Sequence, residues 1–451
     1  MLVEIPYGNS YFDVQIPDDS LVYRTSCKVP EDNASSLVLR AVRNPISCKP
    51  LSTEIKKSGA KSVVLVVSDI TRPIPYAGFL NALLEEIKSA GVPGNKILIL
   101  IATGMHRPSS NAERERMFGP EVCKRYRIID HKAEIGDDLV TVQGTSMAGR
   151  SIELNRYFIE AEFRIVTGLV EPHFMAGFSG GRKSICPGLC SLETVKMFHG
   201  YSFLENSSAR NGNLKGNLLH NEALSIARQA KVDFCINLLV NNEHRLVDAI
   251  AGELEASHEM ACKVAGKYAC PQVKKECDVV LTSSGGYPLD STFYQCVKGL
   301  VSCLPAVKKE GVVISVGNCY DGIGSTEYQS IMRQCSGKWQ EFLKDIKKSN
   351  KVVKDQWQFQ MQIRTLKYVG ADNLYFVTNG LTASDLEHLC VNGIHVPEDK
   401  VQEKVQELLD RFVQEGQSLA IIPEGSLLCS YNLTWTSPRK NGGGRTKHAF
   451  E

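Results

Sequence analysis

The fold is decided by one stretch of the chain, residues 163–184, which reads FRIVTGLVEPHFMAGFSGGRKS. Its first part, FRIVTGLV, is rich in β-branched and apolar residues and predicts a buried strand. The glycines after it lie between the end of this strand and the start of a helix. Backbone N–H groups at such a turn can bind an anion. The stretch therefore predicts an α/β fold with an anion or nucleophile site, carrying one histidine and one lysine, at the end of a strand.

Two common nucleotide motifs do not fit this turn. A P-loop requires a glycine directly before its Lys-Ser/Thr pair, and here Arg182 takes that place. The glycines at 177, 180 and 181 also lack the G-x-G-x-x-G spacing of a dinucleotide-binding turn. The turn is expected to bind something else.

Composition indicates an ordinary globular protein. The chain has 451 residues, 43% of them hydrophobic, with 52 basic and 50 acidic side chains. This length predicts two or three domains, and the near-neutral charge gives no sign of nucleic-acid or membrane binding. The start, MLVEIPYGNS, lacks a signal-peptide pattern, and the 15 cysteines form no C-x-x-C pair, so free thiols in the cytoplasm are expected.

Strand-like and helix-like segments alternate along the chain in two series. This alternation predicts two α/β domains with parallel-type sheets, and an active-site cleft between them. We place the N-terminal domain at 1–271, the C-terminal domain at 272–436 and a loose tail at 437–451. The predicted strands are 62–67, 97–102, 163–170, 235–240, 277–284, 311–317, 374–378 and 419–422, and the predicted helices include 78–90 and 294–303.

Polar loops follow the first two strong strands, SDITRPIP at 68–75 and TGMHRP at 103–108. In open α/β sheets ligands bind at the carboxyl ends of the strands, so both loops are expected to face one crevice. A local alternative stays open, in which Asp69 caps a turn and pairs with Arg72.

Three of the ten histidines, His106, His173 and His199, lie in or just beyond loops that follow strands. Imidazole suits both proton transfer near neutral pH and metal binding, whereas a single histidine is more often structural. Their wide spacing matches neither a zincin helix nor a zinc ribbon, so a zinc site built by the protein alone is not supported.

Four other side chains have both a functional and a plain interpretation. Lys183 either pairs with phosphate or anchors a cofactor covalently. Gln295 and Lys298, three residues apart, share one helix face and could bind a carboxylate, or they could form a solvated surface. Trp357 could line the site or belong to the core.

Taken together, six ordered motifs closely resemble the lactate racemase family, whose members use a nickel-pincer nucleotide. The resemblance runs from the opening VEIPYG to at least Trp357, and no motif is recognisable past about residue 380. The motifs are SDITRPIP, TGMHRP, EPHFMAGFSGGRKS, the later His199, GGYPLDSTFYQCVKG and DQW.

The resemblance implies a role for each matching residue. Lys183 would carry the cofactor, Ni(II) pyridinium-3-thioamide-5-thiocarboxylic acid mononucleotide, through a thioamide, and His199 would bind its nickel. His106 and His173 would be the acid-base pair, one for each face of the substrate. Substrate binding is implied for Arg72, Tyr294, Gln295, Lys298 and Trp357, and cofactor binding for Asp69, Thr71, Ser179, Gly180, Gly181 and Arg182.

The implied reaction is racemisation or epimerisation of a 2-hydroxy acid, most simply lactate, through reversible hydride transfer and a 2-keto acid. The implied partners are this small substrate and accessory enzymes that make the cofactor, with a homodimer as a further option. Two alternatives remain open from the residues, a nicotinamide-dependent hydroxy acid dehydrogenase and a carrier of nickel or nucleotide that has no activity.

Overall fold

The computed structural model describes residues 1–25, 30–134, 136–241, 243–269, 273–335, 337–349 and 351–426. The predicted tail at 437–451 lies outside the described residues. Within them, no helix is both long and apolar enough to cross a bilayer. Every cysteine that the structure describes is a free thiol.

The strands fall into two large sheets and three small hairpin sheets. They are β1 Leu2–Tyr7, β2 Ser10–Gln15, β3 Leu21–Val22, β4 Val63–Ser68, β5 Ile97–Ala102, β6 Arg127–Asp130, β7 Leu139–Thr145, β8 Ser151–Asn155, β9 Phe163–Leu169, β10 Pro172–His173, β11 Gly177–Phe178, β12 Phe234–Val240, β13 Leu246–Gly252, β14 Cys277–Ser283, β15 Val307–Val316, β16 Leu374–Thr378, β17 Asn392–His395 and β18 Leu419–Ile422.

Helices connect most of the strands of the two large sheets. They are α1 Ala34–Arg43, α2 Leu51–Ser58, α3 Leu80–Ser89, α4 Asn111–Phe118, α5 Pro120–Arg125, α6 Arg156–Ile159, α7 Leu192–Phe198, α8 Tyr201–Leu204, α9 Leu218–Gln229, α10 Leu254–Ala269, α11 Phe293–Ser302, α12 Thr326–Gln334, α13 Trp339–Lys348, α14 Gln356–Val369, α15 Ala383–Leu386 and α16 Val401–Gln414.

The first large sheet has the order β13-β12-β9-β4-β5-β6. Its strands are parallel except β13, which runs antiparallel to β12 at the edge. In β4, VVLVVS, alternate residues point to opposite faces, so that Val64 and Val66 join one hydrophobic cluster while Val63, Leu65 and Val67 join another. A strand buried on both faces reads as a continuous apolar run, which is why the sequence predicts it well.

The chain order of this sheet reverses at its centre. From β4 the chain moves outward to β5 and β6, and then returns to β9 on the other side of β4. Ligands of such sheets bind beyond the carboxyl ends of the strands at this reversal. The loops after β4 and β9, which carry SDITRPIP and the glycine-rich stretch, therefore start side by side.

The second large sheet, β17-β16-β15-β14-β18-β3, is parallel throughout. Its edge strand β3 comes from the start of the chain, and the β1–β2 hairpin packs on the same sheet through Ile5 and Val14. The backbone N–H of Gly8 also donates to Asp290 at 2.8 Å. The predicted two-sheet α/β class is confirmed, while the domain boundaries and the cleft stay predictions.

Candidate functional site

A cavity of about 770 Å³ lies at the carboxyl ends of β4, β5 and β9, and residues of α11 and α14 also line it. The lining includes both halves of the sequence. Of the residues singled out from the sequence, those that line the cavity are Asp69, Thr71, Arg72, His106, His173, Ser179, Gly180, Lys183, His199, Tyr294, Gln295, Lys298 and Trp357.

His106, in the loop after β5, is paired with a buried carboxylate. Its Nδ1 lies 2.6 Å from Oδ2 of Asp69, in the loop after β4. The backbone N–H and hydroxyl of Thr71 donate to the other Asp69 oxygen, at 3.2 and 2.7 Å. Burial alone would raise the pKa of Asp69, but His106, Thr71 and Arg72 together lower it below its ordinary value. An ionised Asp69 holds a proton on Nδ1 of His106 and leaves Nε2 as the basic nitrogen.

Arg72 does not pair with Asp69 as the local alternative supposed. Its guanidinium donates to Glu171 at 2.9 Å, joining the loop after β4 to the start of the glycine-rich stretch. Glu171 belongs to the quoted EPHF motif, but no local pattern singles it out, because its partner Arg72 is 99 residues away.

The glycine-rich stretch folds back on itself before it reaches Lys183. Strands β10 and β11 pair as a short hairpin, and a 3₁₀ turn follows at Gly181–Ser184. Gly180 has φ +73°, and a Cβ there would lie 2.4 Å from a methyl group of Val170. Only glycine fits this close approach, which turns the loop directly above the end of β9.

Arg182 lies behind this loop and, with Gly181, is outside the cavity lining. Its side chain is 1% exposed and donates to the carbonyls of Ala176, Ser179 and Gly180. It also lies 2.8 Å from Nε2 of His258. Burial lowers the pKa of Arg182 to about 10. These contacts fit a structural support of the loop better than the cofactor contact predicted for it.

His173 and Lys183 are in direct contact at the cavity wall. Nε2 of His173 lies 2.7 Å from Nζ of Lys183. On the other side of the ring, Nδ1 accepts from the backbone N–H groups of Met175 and Ala176, each at 3.2 Å. Burial, and then the neighbouring basic groups of Lys183 and Arg72, hold the pKa of His173 well below its ordinary value.

The wall around Lys183 is rich in positive charge. Burial lowers the pKa of Lys183 well below its ordinary value, and nearby Arg72, Arg182 and Lys298 lower it further. The pKa of Lys298 falls to about 7 for the same reasons, burial first and Arg72 second. Such a wall favours an anionic ligand, because its negative charge would compensate the positive charges of the wall.

His199 caps the C-terminus of α7 with its imidazole fixed in one orientation. Nδ1 donates to the carbonyl of Val195 at 2.9 Å, so Nε2 keeps a free lone pair. Burial lowers the pKa of His199 to about 3, which keeps it neutral. Its ring packs on Trp357 with a centroid distance of 4.7 Å and an interplanar angle of 31°.

These features suit a metal ligand, but only one. Among the described residues, no cluster of three or more histidine, cysteine or acidic side chains could hold a metal ion. A metal at His199 would therefore need its other ligands from a bound group.

The C-terminal half contributes a hydrogen-bonded aromatic pair and one amide oxygen without a partner to the cavity. Trp357, buried at 2% exposure, donates its indole N–H to the Tyr294 hydroxyl at 3.0 Å. Gln295 lines the cavity, and its Oε1 is buried without a hydrogen-bond partner. Such an oxygen is costly unless a ligand donates to it, so it indicates a place for a hydroxyl or amide group.

Comparison with known proteins agrees with this geometry. A family model described as the lactate racemase N-terminal domain matches residues 7–212, and one described as the lactate racemase C-terminal domain matches residues 272–428. The chain is 34% identical to the lactate racemase of Thermoanaerobacterium thermosaccharolyticum over 81% of its length and 85% of that protein. It is 30% identical to the lactate racemase of Lactiplantibacillus plantarum over 94% of its length and 98% of that protein.

The chain belongs to the lactate racemase family. It is accordingly an isomerase of the racemase type. Its fold matches the solved lactate racemase apoprotein of T. thermosaccharolyticum with a TM-score of 0.85 at 30% identity, covering 96% of this chain and all of that one. A protein of Thermotoga maritima shares the fold at 18% identity, with a TM-score of 0.61 over 85% of this chain and 99% of that one.

One group of residues in this racemase family member was missed in the sequence. Helix α14 carries Trp357 and also holds the segment that follows His199. The Gln360 amide donates to the carbonyl of Tyr201 at 3.2 Å, and the half-buried Arg364 donates through its guanidinium to backbone carbonyls of Leu204, Asn206 and Ala209. The signal was the polar run QWQFQMQIR in a helix that is almost wholly buried.

Proposed function

We propose that this racemase family member inverts the configuration of a short-chain 2-hydroxy acid, lactate or a close analogue, using a nickel-pincer nucleotide attached to Lys183. The observation that carries the proposal is the contact between His173 and Lys183 in a cationic wall of the same cavity that the His106–Asp69 pair lines. That arrangement combines a nucleophilic amine, two histidines and cations in one cavity.

The residues present fit this cofactor. Lys183 offers a buried amine beside the glycine-rich loop, and His199 offers a neutral imidazole whose Nε2 is free. A group that brings its own sulfur and carbon ligands to nickel would need only one ligand from the protein, in line with the lack of a metal cluster among the described side chains. When bound, this group supplies a carbon atom that accepts and returns a hydride.

The cations of the cavity wall would bind the substrate. Arg72 and Lys298 line the cavity. They would pair with the carboxylate and stabilise negative charge that develops on the hydroxyl oxygen. The unpartnered Oε1 of Gln295 would accept a hydrogen bond from the substrate. The Tyr294–Trp357 pair would form an apolar wall beside it.

Proton transfer would fall to the two histidines. With Nδ1 held by Asp69, Nε2 of His106 can take the hydroxyl proton as the α-hydrogen leaves as hydride. The product of this half-reaction is a planar 2-keto acid, which hydride can reach again from its other face. His173, on the separate loop after β9, would serve that second face.

The proposal extends to the supply of the cofactor, the cellular compartment and the partners of the protein. We propose that accessory enzymes supply the cofactor, that the protein acts in a reducing compartment such as the cytoplasm, as its free thiols suggest, and that it does not bind nucleic acid or a membrane. A homodimer stays an open prediction. No observation favours a dehydrogenase or an inactive carrier.

The test is the intact mass and nickel content of protein taken from cells that make the cofactor. We expect an added mass of nucleotide size together with nickel, both absent from Lys183→Ala. Lys196→Ala is the matched control, because Lys196 pairs with Glu193 on the surface of α7 and should leave both signals unchanged. An unmodified chain without nickel from such cells would refute the proposal.

A further inference from the structure

The hydrogen bonds around His173 decide which of its two nitrogens carries a proton. Nδ1 lies 3.2 Å from two backbone N–H groups, those of Met175 and Ala176, and both can only donate. A nitrogen that accepts from two donors has no hydrogen of its own. The proton of the neutral ring is therefore on Nε2.

That placement fixes the charge of Lys183. The Nε2–H of His173 points at Nζ of Lys183, 2.7 Å away, and must donate to it. An ammonium group has three hydrogens and no lone pair, so it cannot accept. The contact therefore requires Lys183 to be an uncharged amine whose lone pair faces His173.

The surroundings agree with an uncharged amine. Within the described part of the chain, no carboxylate forms an ion pair with Lys183. The titratable groups that act on it electrostatically are three cations and a thiol, namely Arg72, Arg182, Lys298 and Cys186. An ammonium at this position would face these three positive charges without a compensating carboxylate.

We infer that His173 has a task that precedes its work on the substrate: in the cofactor-free chain it holds Lys183 as an uncharged amine at the cavity wall. Acyl transfer begins when Nζ rotates so that its lone pair leaves Nε2–H and faces the acyl carbon. This inference rests on the proposed function, in which Lys183 carries the cofactor. In the native attachment the amine and a thiocarboxyl group form a thioamide and release water. His173 is thus a positioning residue for attachment as well as a candidate acid-base residue.

Attachment would also release His173. The nitrogen of a thioamide has its lone pair delocalised into the C=S group and is a donor, so it can no longer accept from Nε2–H. The bond that occupies His173 in the free chain then cannot persist. The His173 imidazole becomes available to the cavity only in molecules that have received the cofactor. In a chain without cofactor, one of the two candidate acid-base histidines stays bonded to Lys183.

The test is acylation of the cofactor-free full chain by a small thioester, acetyl-N-acetylcysteamine, at pH 7. The Lys183 amine attacks the thioester carbonyl, the C–N bond forms as the C–S bond breaks, and the thiol leaves with the proton that the amine loses. Ordinary lysines are only about 0.04% uncharged at this pH. We therefore expect peptide mass mapping to show Lys183 acetylated at least ~10-fold faster than exposed lysines such as Lys215.

Two variants distinguish the loss of the hydrogen bond from a general disturbance of the fold at His173. His173→Ala removes the Nε2–H donor and should slow acetylation of Lys183 by about 10-fold, whereas His173→Gln keeps a side-chain N–H in a similar position and should stay within about 3-fold of the unchanged chain. His244→Gln is the matched control, since His244 lines the same cavity without a bond to Lys183.

Nitrogen-15 NMR of the imidazoles gives a readout that needs no reaction, and we expect the His173 signals to show the Nε2–H form. Lys183 reacting no faster than exposed lysines, His173→Ala matching the unchanged chain, or an Nδ1–H form would each overturn the inference. A reactive Lys183 that gains no adduct in cofactor-making cells would instead refute the proposed function and leave this inference standing.

Discussion

The loops after β5 and β9 lie at the same edge of one sheet, yet they give their histidines opposite surroundings. His106, after β5, is 52% exposed and bonded to the buried carboxylate of Asp69. His173, after β9, contacts the Lys183 amine, and the charges that act on it are positive. The difference shows that one residue type in equivalent positions can have an acidic partner in one loop and a basic partner in the other.

The largest effect is expected from Asp69→Asn, which removes the carboxylate that distinguishes the surroundings of His106 from those of His173. An amide cannot fix the proton on Nδ1 of His106, so Nε2 loses its role as the basic nitrogen. We expect the racemisation rate of cofactor-loaded protein, measured with a chiral assay, to fall by about 10²- to 10⁴-fold. Asp321→Asn, at the same cavity, is the control and should stay near the unchanged rate. A loss below threefold for Asp69→Asn would mean that the pair is only structural.

The cationic cavity wall, to which Lys298 of α11 belongs, should lower the stability of the cofactor-free protein. The pKa of Lys298 is about 7 in the folded chain and 10.5 in the unfolded chain, so between these pH values the unfolded state binds more protons. Stability should therefore rise from pH 7 to 10.5, and the cost of burying the charge is fully present below pH 7.

Lys298→Met removes that cost. We expect the variant to gain about 1 to 3 kcal/mol in free energy of unfolding at pH 6, measured with urea, because cavity water offsets part of the full penalty. The gain should vanish near pH 10.5. An equal difference at both pH values would show that packing, rather than charge, is responsible.

Asp69, in the loop after β4, should stabilise the cofactor-free protein, whereas buried Lys298 destabilises it. The effect of Asp69 should be the smaller one. The folded-state pKa of Asp69 is below its unfolded value, so its contribution to stability is present above the unfolded pKa and is lost as the pH falls through the folded one. Asp69→Asn in cofactor-free protein should cost about 1 kcal/mol at pH 7 and less at pH 3. A variant more stable than the unchanged chain at pH 7 would contradict the carboxylate's supporting role.

Local sequence was enough for the strands that build the site. The apolar runs of β4, β5 and β9 are buried on both faces, and the predicted bounds differ from the observed ones by at most one residue at either end. Strands β6 and β13 were missed. Both lie at the edges of the first sheet, where burial on one side suffices and the apolar run is broken by charged residues such as Arg127 and Asp248.

By itself, the sequence determined the α/β class, the positions of the polar loops and the presence of His106, His173 and Lys183 at strand ends, because strand periodicity and turn glycines act over a few residues. Only the tertiary structure decided the partners. It paired Arg72 with Glu171, placed Arg182 against His258 and brought Trp357 onto His199. These contacts join residues far apart in the chain, and the order of strands in the sheet, which no local pattern encodes, brings them together.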